Sequence, residues 1–450
     1  MRTIRRRYYF WLFKAYFKRW KRVIGTFVLL GILLSAGGIA FLNLYVKPSL
    51  DNKVQRIGLA GVYTPKSIPE NLLSDVSYGL THVKANGTIE PGAAESWSVS
   101  KDGKTYTFHL RHELTFHNRE QLTATTLPLD FRDSHKKVID NYTVAYTLAS
   151  PFSPFLSIVS RPILLADFSG LGNFKVSKID LNAGFVKSMF LQNTNDRMNK
   201  KIISFYPTQS ALRTAYMLGE IDYAKGLTNV QEENIDLSKW TNTSITKSTD
   251  YTQLVSLFYN NADGNLSNKK ARQALNYALP EKFEKGQRAD SPIPPTSIYY
   301  AKPRTGTISD AEIAREVLAS SGVTFTDPLE ISTTPDLEDV AKTVAGNWND
   351  IGVKTKIKVV DIIPSDFQIL LYAYKIPQDP DQYTLWHSDQ INNIGHYKNL
   401  RIDKLLEDGR VRSDEEERLS IYADFQKYLL DDVPASFLYF PYEYTVSRKF

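Results

Sequence analysis

The chain has 450 residues, 42% hydrophobic and 12% aromatic, with no cysteine and a formal charge of +6. At roughly 100 to 200 residues per domain this is enough for two or three packed units, which excludes a disordered chain, and the missing cysteines exclude disulfides, thiolate metal sites and a cysteine nucleophile. Nine of the 55 Lys and Arg but none of the 49 acids fall in residues 1–22, so the rest carries 46 bases against 49 acids and has no nucleic-acid footprint.

Residues 1–22 interleave Arg2, Arg5, Arg6, Arg7, Lys14, Lys18, Arg19, Lys21 and Arg22 with eight aromatics, Trp11 and Trp20 among them. Such a tail suits the headgroup zone of a lipid bilayer, with rings at the interface and bases facing anionic lipid. Val23–Val46 is an uncharged run of 24 residues. As a helix it would be about 36 Å long, enough to cross a ~30 Å hydrocarbon layer. It exceeds the apolar core of a cleaved signal peptide and therefore reads as an uncleaved anchor. The bases all precede it, which predicts a single-pass cell-membrane protein with a cytoplasmic N-terminus and an extracytoplasmic main domain after Lys47.

Beyond a linker at Lys47-Pro48, Trp97–Arg111 reads as a hairpin. Asp102-Gly103 supplies the turn, and Tyr106, Phe108 and Leu110 alternate with Thr107, His109 and Arg111. Lys269–Leu279 repeats Ala271, Ala274, Leu275 and Ala278 at helical spacing and stops before Pro280. Ala289–Gly306 holds four prolines and reads as a long ordered loop. Leu329–Thr334, Asp336–Asp350 and Val353–Val360 form a strand-helix-strand unit, whose strands such a crossover makes parallel. Asp414–Leu430 is a last helix, with Leu419, Tyr422, Phe425 and Leu429 on one face. The fold class is α/β.

No nucleophile elbow, His-Glu-x-x-His pair or phosphate loop occurs, so no enzyme activity and no cofactor are expected. His109, His112 and His117 stand close together in sequence, but the first lies on the polar face of a strand, and no metal site is assigned.

Several segments together resemble the family 5 extracellular solute-binding proteins, the peptide and nickel receptors of ABC importers. Ile89–Ala124 (IEPGAAESWSVSKDGKTYTFHLRHELTFHNREQLTA) is similar to that family's signature. Gly170–Val176 (GLGNFKV), Leu218–Tyr223 (LGEIDY) and Phe258–Leu279 match further pieces, as do Asp379-Pro380-Asp381, HYKNLRIDKLLEDGR and the Glu415–Leu430 helix leading to Pro434. The pieces keep the family's order over residues 55–446.

The resemblance implies a two-lobed periplasmic-binding-protein-like fold of type II. Lobe I would be residues 50–256 plus a C-terminal strand 437–446, and lobe II residues 262–430. Tyr251–Tyr259 and Phe437–Val446 would form the hinge. It also implies capture of an oligopeptide or similar small solute by lobe closure, delivery to ABC permease subunits, and a monomer. A surface sensor using the same fold without transport is the alternative.

Site residues follow from the same resemblance. Tyr374, Asp379, Asp381, Tyr383 and Trp386 supply carboxylates and aromatic walls for a ligand, and Leu59, Gly61 and Tyr63 a strand edge for an extended one. Three departures stand out. Ile376 occupies the position where the family's Asp holds a peptide's amino terminus, the short Thr125–Ser169 predicts a reduced or absent subdomain, and the chain stops earlier than usual, which predicts a missing final return strand.

Overall fold

The computed structural model describes residues 2–41, 54–232, 235–303 and 309–449. Helix α1 (Arg2–Phe41) is bent by 60° between the limbs Tyr8–Val23 and Gly25–Phe41. The break falls beside Gly25, whose missing Cβ makes a sharp kink least costly. Among the described residues no single helix is long and apolar enough to cross a membrane, but the two limbs taken together are, by length and composition. The expected span Val23–Val46 is thus interrupted at its inner end, and residues 42–46 and the linker Lys47-Pro48 lie outside the described residues. All described side chains of α1 are exposed, Phe27 and Leu34 both at 70%, so the apolar limb is no part of the body's core.

The body begins with β1 (Val54–Ala60). Strands β2 (Ala94–Val99) and β3 (Thr105–Leu110) make the predicted hairpin, turning at Gly103 with φ +69°; Tyr106, Phe108 and Leu110 are buried and His109 is exposed. Strands β4 (Ser134–Asp140) and β5 (Thr143–Leu148) complete a four-stranded sheet in the order β2-β3-β5-β4. This unit has its own core, with Phe108, Tyr146 and Phe155 at its centre. The short segment Thr125–Ser169 supplies two of these strands, β4 and β5. The tight turn at Asn141-Tyr142, in which Asp140 Oδ1 accepts the Tyr142 N–H at 2.8 Å, joins the two strands with almost no loop.

The first half of the main sheet adds β6 (Phe174–Asn182), β7 (Phe185–Asn193), β8 (Lys200–Tyr206), α2 (Gln209–Leu218), β9 (Tyr223–Leu227) and β10 (Thr243–Thr249). Strand β1 lies between β8 and β9 and runs parallel to both. Apolar clusters cover both faces, one around Met189, Ile203 and Phe205, the other around Leu212, Tyr216 and Ile221.

The second half is built from β11 (Gln253–Tyr259), α3 (Lys269–Tyr277), β12 (Gly286–Arg288), α4 (Ala311–Ser321), β13 (Leu329–Thr333), α5 (Glu338–Asp350), β14 (Thr355–Val359) and β15 (Ile369–Lys375). Helices α6 (Tyr383–Trp386), α7 (Leu400–Val411) and α8 (Glu415–Asp432) follow. The predicted strand-helix-strand unit is β13-α5-β14, and β13 is parallel to both β14 and β15. Strand β11 is apolar almost throughout because both of its faces are covered, Leu254 and Phe258 on one side and Val255 and Leu257 on the other. Asn268 and Asp414 cap α3 and α8, the Asp414 carboxylate accepting the Glu417 N–H at 2.9 Å. The proline-rich loop after β12 is ordered as expected up to Pro303, and residues 304–306 lie outside the described residues.

The last strand, β16 (Ala435–Arg448), joins the halves. Ala435–Tyr439 pairs with β11, whereas Tyr442–Arg448 pairs with β10. The chain therefore passes between halves twice, side by side, at Asp250–Thr252 and at Phe440–Tyr442. The Asp250 N–H donates to Pro441 O at 2.8 Å, and the Tyr251 ring meets Phe440 edge-on at 5.2 Å. By its pairing, β11 already belongs to the second half, so the chain crosses before this strand and not within it.

Candidate functional site

Strand β15 ends at Lys375, and the chain then crosses an irregular stretch, Ile376–Gln382, before the single turn of α6. A pocket of 240 Å³ opens here. Tyr374, Lys375, Asp381, Gln382, Thr384 and Asn392 form its polar lining, and Pro377, Leu385 and Ile394 its apolar wall. It lies close to the four-stranded unit of the first half. Gly87 sits against Gln378 O, the Ser153 N–H donates to Arg410 O at 2.7 Å, and the Ile298 N–H donates to Asn86 O at 2.9 Å.

The two acids expected to meet ligand are both occupied by arginines. Asp379 is buried, and both its oxygens accept from Arg418 Nη2, at 2.8 and 3.1 Å. Arg418 is completed by the Tyr299 hydroxyl at 3.1 Å and Gly409 O at 3.1 Å. Burial by itself lowers the basicity of this guanidinium, but the charge of Asp379 more than reverses it and raises the pKa. Asp381 Oδ2 accepts from Arg410 Nε at 2.9 Å, and its Oδ1 accepts the Tyr383 N–H at 3.1 Å. Desolvation raises the Asp381 pKa in spite of the arginine. Arg410 also stacks over Tyr383, 3.9 Å from its centroid, and faces Phe152 at 5.2 Å. It thereby ties the pocket wall to the four-stranded unit.

The aromatics divide. Trp386 is 1% exposed, stacks on Phe258 at 5.9 Å and donates its indole N–H to Gln382 Oε1 at 2.8 Å, so it is core and not a pocket wall. Tyr383 is half-buried between Arg410 and the His387 ring, at 4.2 Å. Tyr374 does line the pocket. Its hydroxyl is buried beside the Ser256 hydroxyl on β11, with which it interacts. Burial raises the Tyr374 pKa, which keeps it a donor. Ile376 is buried in the core beside Trp386 and its N–H donates to Thr252 O at 2.8 Å, so the residue at the family's amine position presents nothing polar.

Leu59, Gly61 and Tyr63 belong to the first half and none of them lines the pocket. Strand β1 is paired on both sides, so Leu59 has no free edge to lend, and the Gly61 N–H is taken by Tyr206 O at 2.7 Å. Tyr63 packs edge-on against Phe205 at 5.2 Å. Sequence reasoning missed Lys375, Gln382, Thr384 and Asn392 in the lining, and Arg410 and Arg418 behind it. The pocket residues follow directly on the predicted cluster and could have been found by extending it. The arginines, in contrast, carry no local signal.

His117 is fixed between backbone groups, its Nε2 at 2.8 Å from Gly172 O and its Nδ1 accepting the Gly170 N–H at 3.2 Å. His112 lies on the Tyr142 ring at 4.0 Å. Among the described residues no three His, Asp or Glu side chains converge as a metal site.

Two half-sheets joined at paired crossings, with helices on their faces and a pocket beside the junction, define a two-lobed α/β binding fold of the periplasmic type. Solved structures agree. CtaP of Listeria monocytogenes, an ABC transporter substrate-binding protein, superimposes with a TM-score of 0.73 at 22% identity, over 88% of this chain and 94% of that one. NikZ of Campylobacter jejuni, in complex with Ni(L-His), gives 0.69 at 22% identity over the same shares. A family model for the bacterial extracellular solute-binding proteins, family 5, matches residues 88–393, and the chain belongs to that family. Among curated relatives, di/tripeptide-binding protein 1 of Pseudomonas aeruginosa is 24% identical over 440 residues, covering 79% of this chain and 81% of that protein.

Proposed function

We propose that this protein is a membrane-anchored extracytoplasmic receptor that captures a short peptide or similar small solute by lobe closure and presents it to the permease of an ABC importer. It catalyses no reaction and works as a monomer. The observation that carries this reading is the pair of adjacent crossings at Asp250–Thr252 and Phe440–Tyr442, a geometry that lets two lobes swing about one short axis. Contacts made to both lobes exist only when they are closed, so ligand shifts the open-closed balance by its difference in affinity for the two states. The peptide class rests on the relatives, one of them named for di- and tripeptides. On this reading the boundary expected at 256 moves to the crossings, so that lobe I comprises residues 54–249 and 442–448, and lobe II residues 253–439.

Anchoring is supported by the exposed apolar limb of α1 and the nine preceding bases. The limb Gly25–Phe41 is the described part of the apolar run that would cross the bilayer, and the bent-away limb Tyr8–Val23 would lie along the cytoplasmic surface. Within Tyr8–Arg22 the helical positions divide. Lys14, Lys18, Lys21 and Arg22 share one side, together with Trp11, and Tyr9, Phe13, Tyr16 and Trp20 another, so that bases and rings can both meet the headgroup zone.

Titration of the full chain in detergent micelles with Ala-Ala-Ala tests the reading, with the distance between labels on the two lobes as the readout. Saturable binding, shortening of that distance and recovery of unchanged peptide are expected. Binding with no change in distance would rule out closure. The cationic tail also favours a second reading, a sensor whose tail reports closure inside the cell. Uptake that survives replacement of residues 1–22 by a neutral sequence would count against it.

A further inference from the structure

The four-stranded unit of lobe I meets lobe II in two places. In the first, Pro151-Phe152-Ser153-Pro154 lies against the end of α7. Ser153 is 6% exposed and gives both its donors to lobe II, the N–H to Arg410 O at 2.7 Å and the hydroxyl to Gly409 O at 3.1 Å. The last carbonyls of a helix have no partner within it, so Ser153 caps α7 from the other lobe. The Phe152 ring faces the Arg410 guanidinium at 5.2 Å, and the buried Tyr106 hydroxyl interacts with Ser413. In the second place the Ile298 N–H donates to Asn86 O at 2.9 Å, and Gly87 sits against Gln378 O.

Parting the lobes must either break this face or carry the unit along with lobe II. The unit's attachment to lobe I opposes the second course. The segments by which the chain enters and leaves the unit are tied together, Gly172 N–H to Val76 O at 2.8 Å, and the His117 ring is fixed between Gly170 and Gly172. A Cβ at Gly170 would fall 2.2 Å from Val76 O, and one at Gly172 2.5 Å from Asp75 O. Backbone packed this closely leaves little slack for a hinge.

One side chain carries the contact on to the pocket. Arg410 donates from Nε to Asp381 Oδ2 at 2.9 Å, and its guanidinium covers the Tyr383 ring at 3.9 Å. Asp381, Gln382, Thr384 and Leu385 line the pocket. Arg410 thus joins a ring of lobe I to the segment that a solute would touch.

We infer that Phe152 and Ser153 form a latch on the end of α7, which favours the closed arrangement by protein contacts alone, and that Arg410 is the positioning residue coupling latch to pocket. This rests on the receptor reading above for closure itself and specifies what holds the lobes together. A solute that orders Asp381–Leu385 also orders Arg410 for Phe152, so binding and latching reinforce each other.

The chain has no cysteine, so two introduced cysteines, one on the main sheet of lobe I and one on lobe II, carry the only labels. The distance between them is measured in the full chain in detergent micelles, first without solute. Phe152→Leu keeps an apolar side chain on the unit's core but removes the ring facing Arg410, which should raise the ratio of open to closed molecules about two- to fivefold. Arg410→Lys keeps a charge for Asp381 but cannot lie flat over two rings, and should give a shift at least as large. The double variant should open no further than Arg410→Lys alone, because the two changes remove one shared contact, whereas independent effects would multiply. Affinity for Ala-Ala-Ala should fall by no more than the shift in the open-closed ratio. The inference is overturned by unchanged distances in the folded variants, by effects that multiply in the double variant, or by a label on the four-stranded unit that keeps its distance to lobe II while the lobes part. If Ala-Ala-Ala does not bind, the peptide reading falls, and the distances without solute still decide the latch.

Discussion

Asp379→Asn separates a ligand carboxylate from a structural one. The Asp379 and Arg418 side chains are 8% and 7% exposed, so the pair is almost closed to water. Removing one member of such a pair strands the other, at a cost of about 3 to 5 kcal/mol. The lower end applies here, because Arg418 keeps the Tyr299 hydroxyl and Gly409 O, both at 3.1 Å, and two aromatic faces at 5.2 and 5.4 Å. Spread over one lobe, about 3 kcal/mol corresponds to a fall of about 6 to 12 °C in the unfolding midpoint.

Differential scanning calorimetry at neutral pH measures that shift, and titration well below the new midpoint measures affinity. Affinity is expected to stay within about twofold, since Asp379 does not line the pocket. Adding Arg418→Met removes the stranded charge and should restore at least about 1 kcal/mol. A midpoint within about 2 °C of the parent, coupled to a tenfold loss of affinity, would refute the reasoning and return Asp379 to the ligand.

Trp386→Ala empties a site packed by Phe258, Tyr397 and Phe437 and should cost about 3 to 5 kcal/mol by chemical denaturation, where a wall residue would instead change affinity first. Gly61→Ala places a side chain at φ +148°, with its Cβ 2.4 Å from the Tyr63 hydroxyl, and should lower stability by about 1 to 3 kcal/mol; an unchanged midpoint would show that Tyr63 swings aside freely. Asp381 and Asp432 should respond to pH with opposite signs. The raised pKa of Asp381 gives a stabilising term that is full in acid and lost as pH rises through the folded value, so the parent's margin over Asp381→Asn should be larger near about pH 3 than near about pH 6. Burial alone would raise Asp432 too, but hydrogen bonds from Tyr397 at 2.7 Å and Asn399 at 2.8 Å outweigh it and lower the pKa, so the margin over Asp432→Asn should shrink in acid. Margins that change with pH in the same direction would contradict this. Finally, the full chain should stay with membranes through alkaline carbonate extraction, and a fragment 47–450 should not.

What the sequence discloses and what it withholds differ by the distance over which each signal acts. The hairpin at Asp102-Gly103, the β13-α5-β14 unit and the caps at Asn268 and Asp414 are written in neighbouring residues, and the structure has all of them. The cluster Tyr374–Trp386 stands out by its local composition, and of its five candidate residues Tyr374 and Asp381 line the pocket. The role of each side chain in it is not legible there. Tyr383 and Trp386 fall on one four-residue turn that points the indole into the core. Strand β1 looks like an edge until residues 200–206 and 223–227 close on both its sides. Asp379 and Asp381 meet arginines 39 and 29 positions later, on α8 and α7. Whether a carboxylate in a pocket is free depends on the cation in the element packed behind it, and no spacing rule reaches that far.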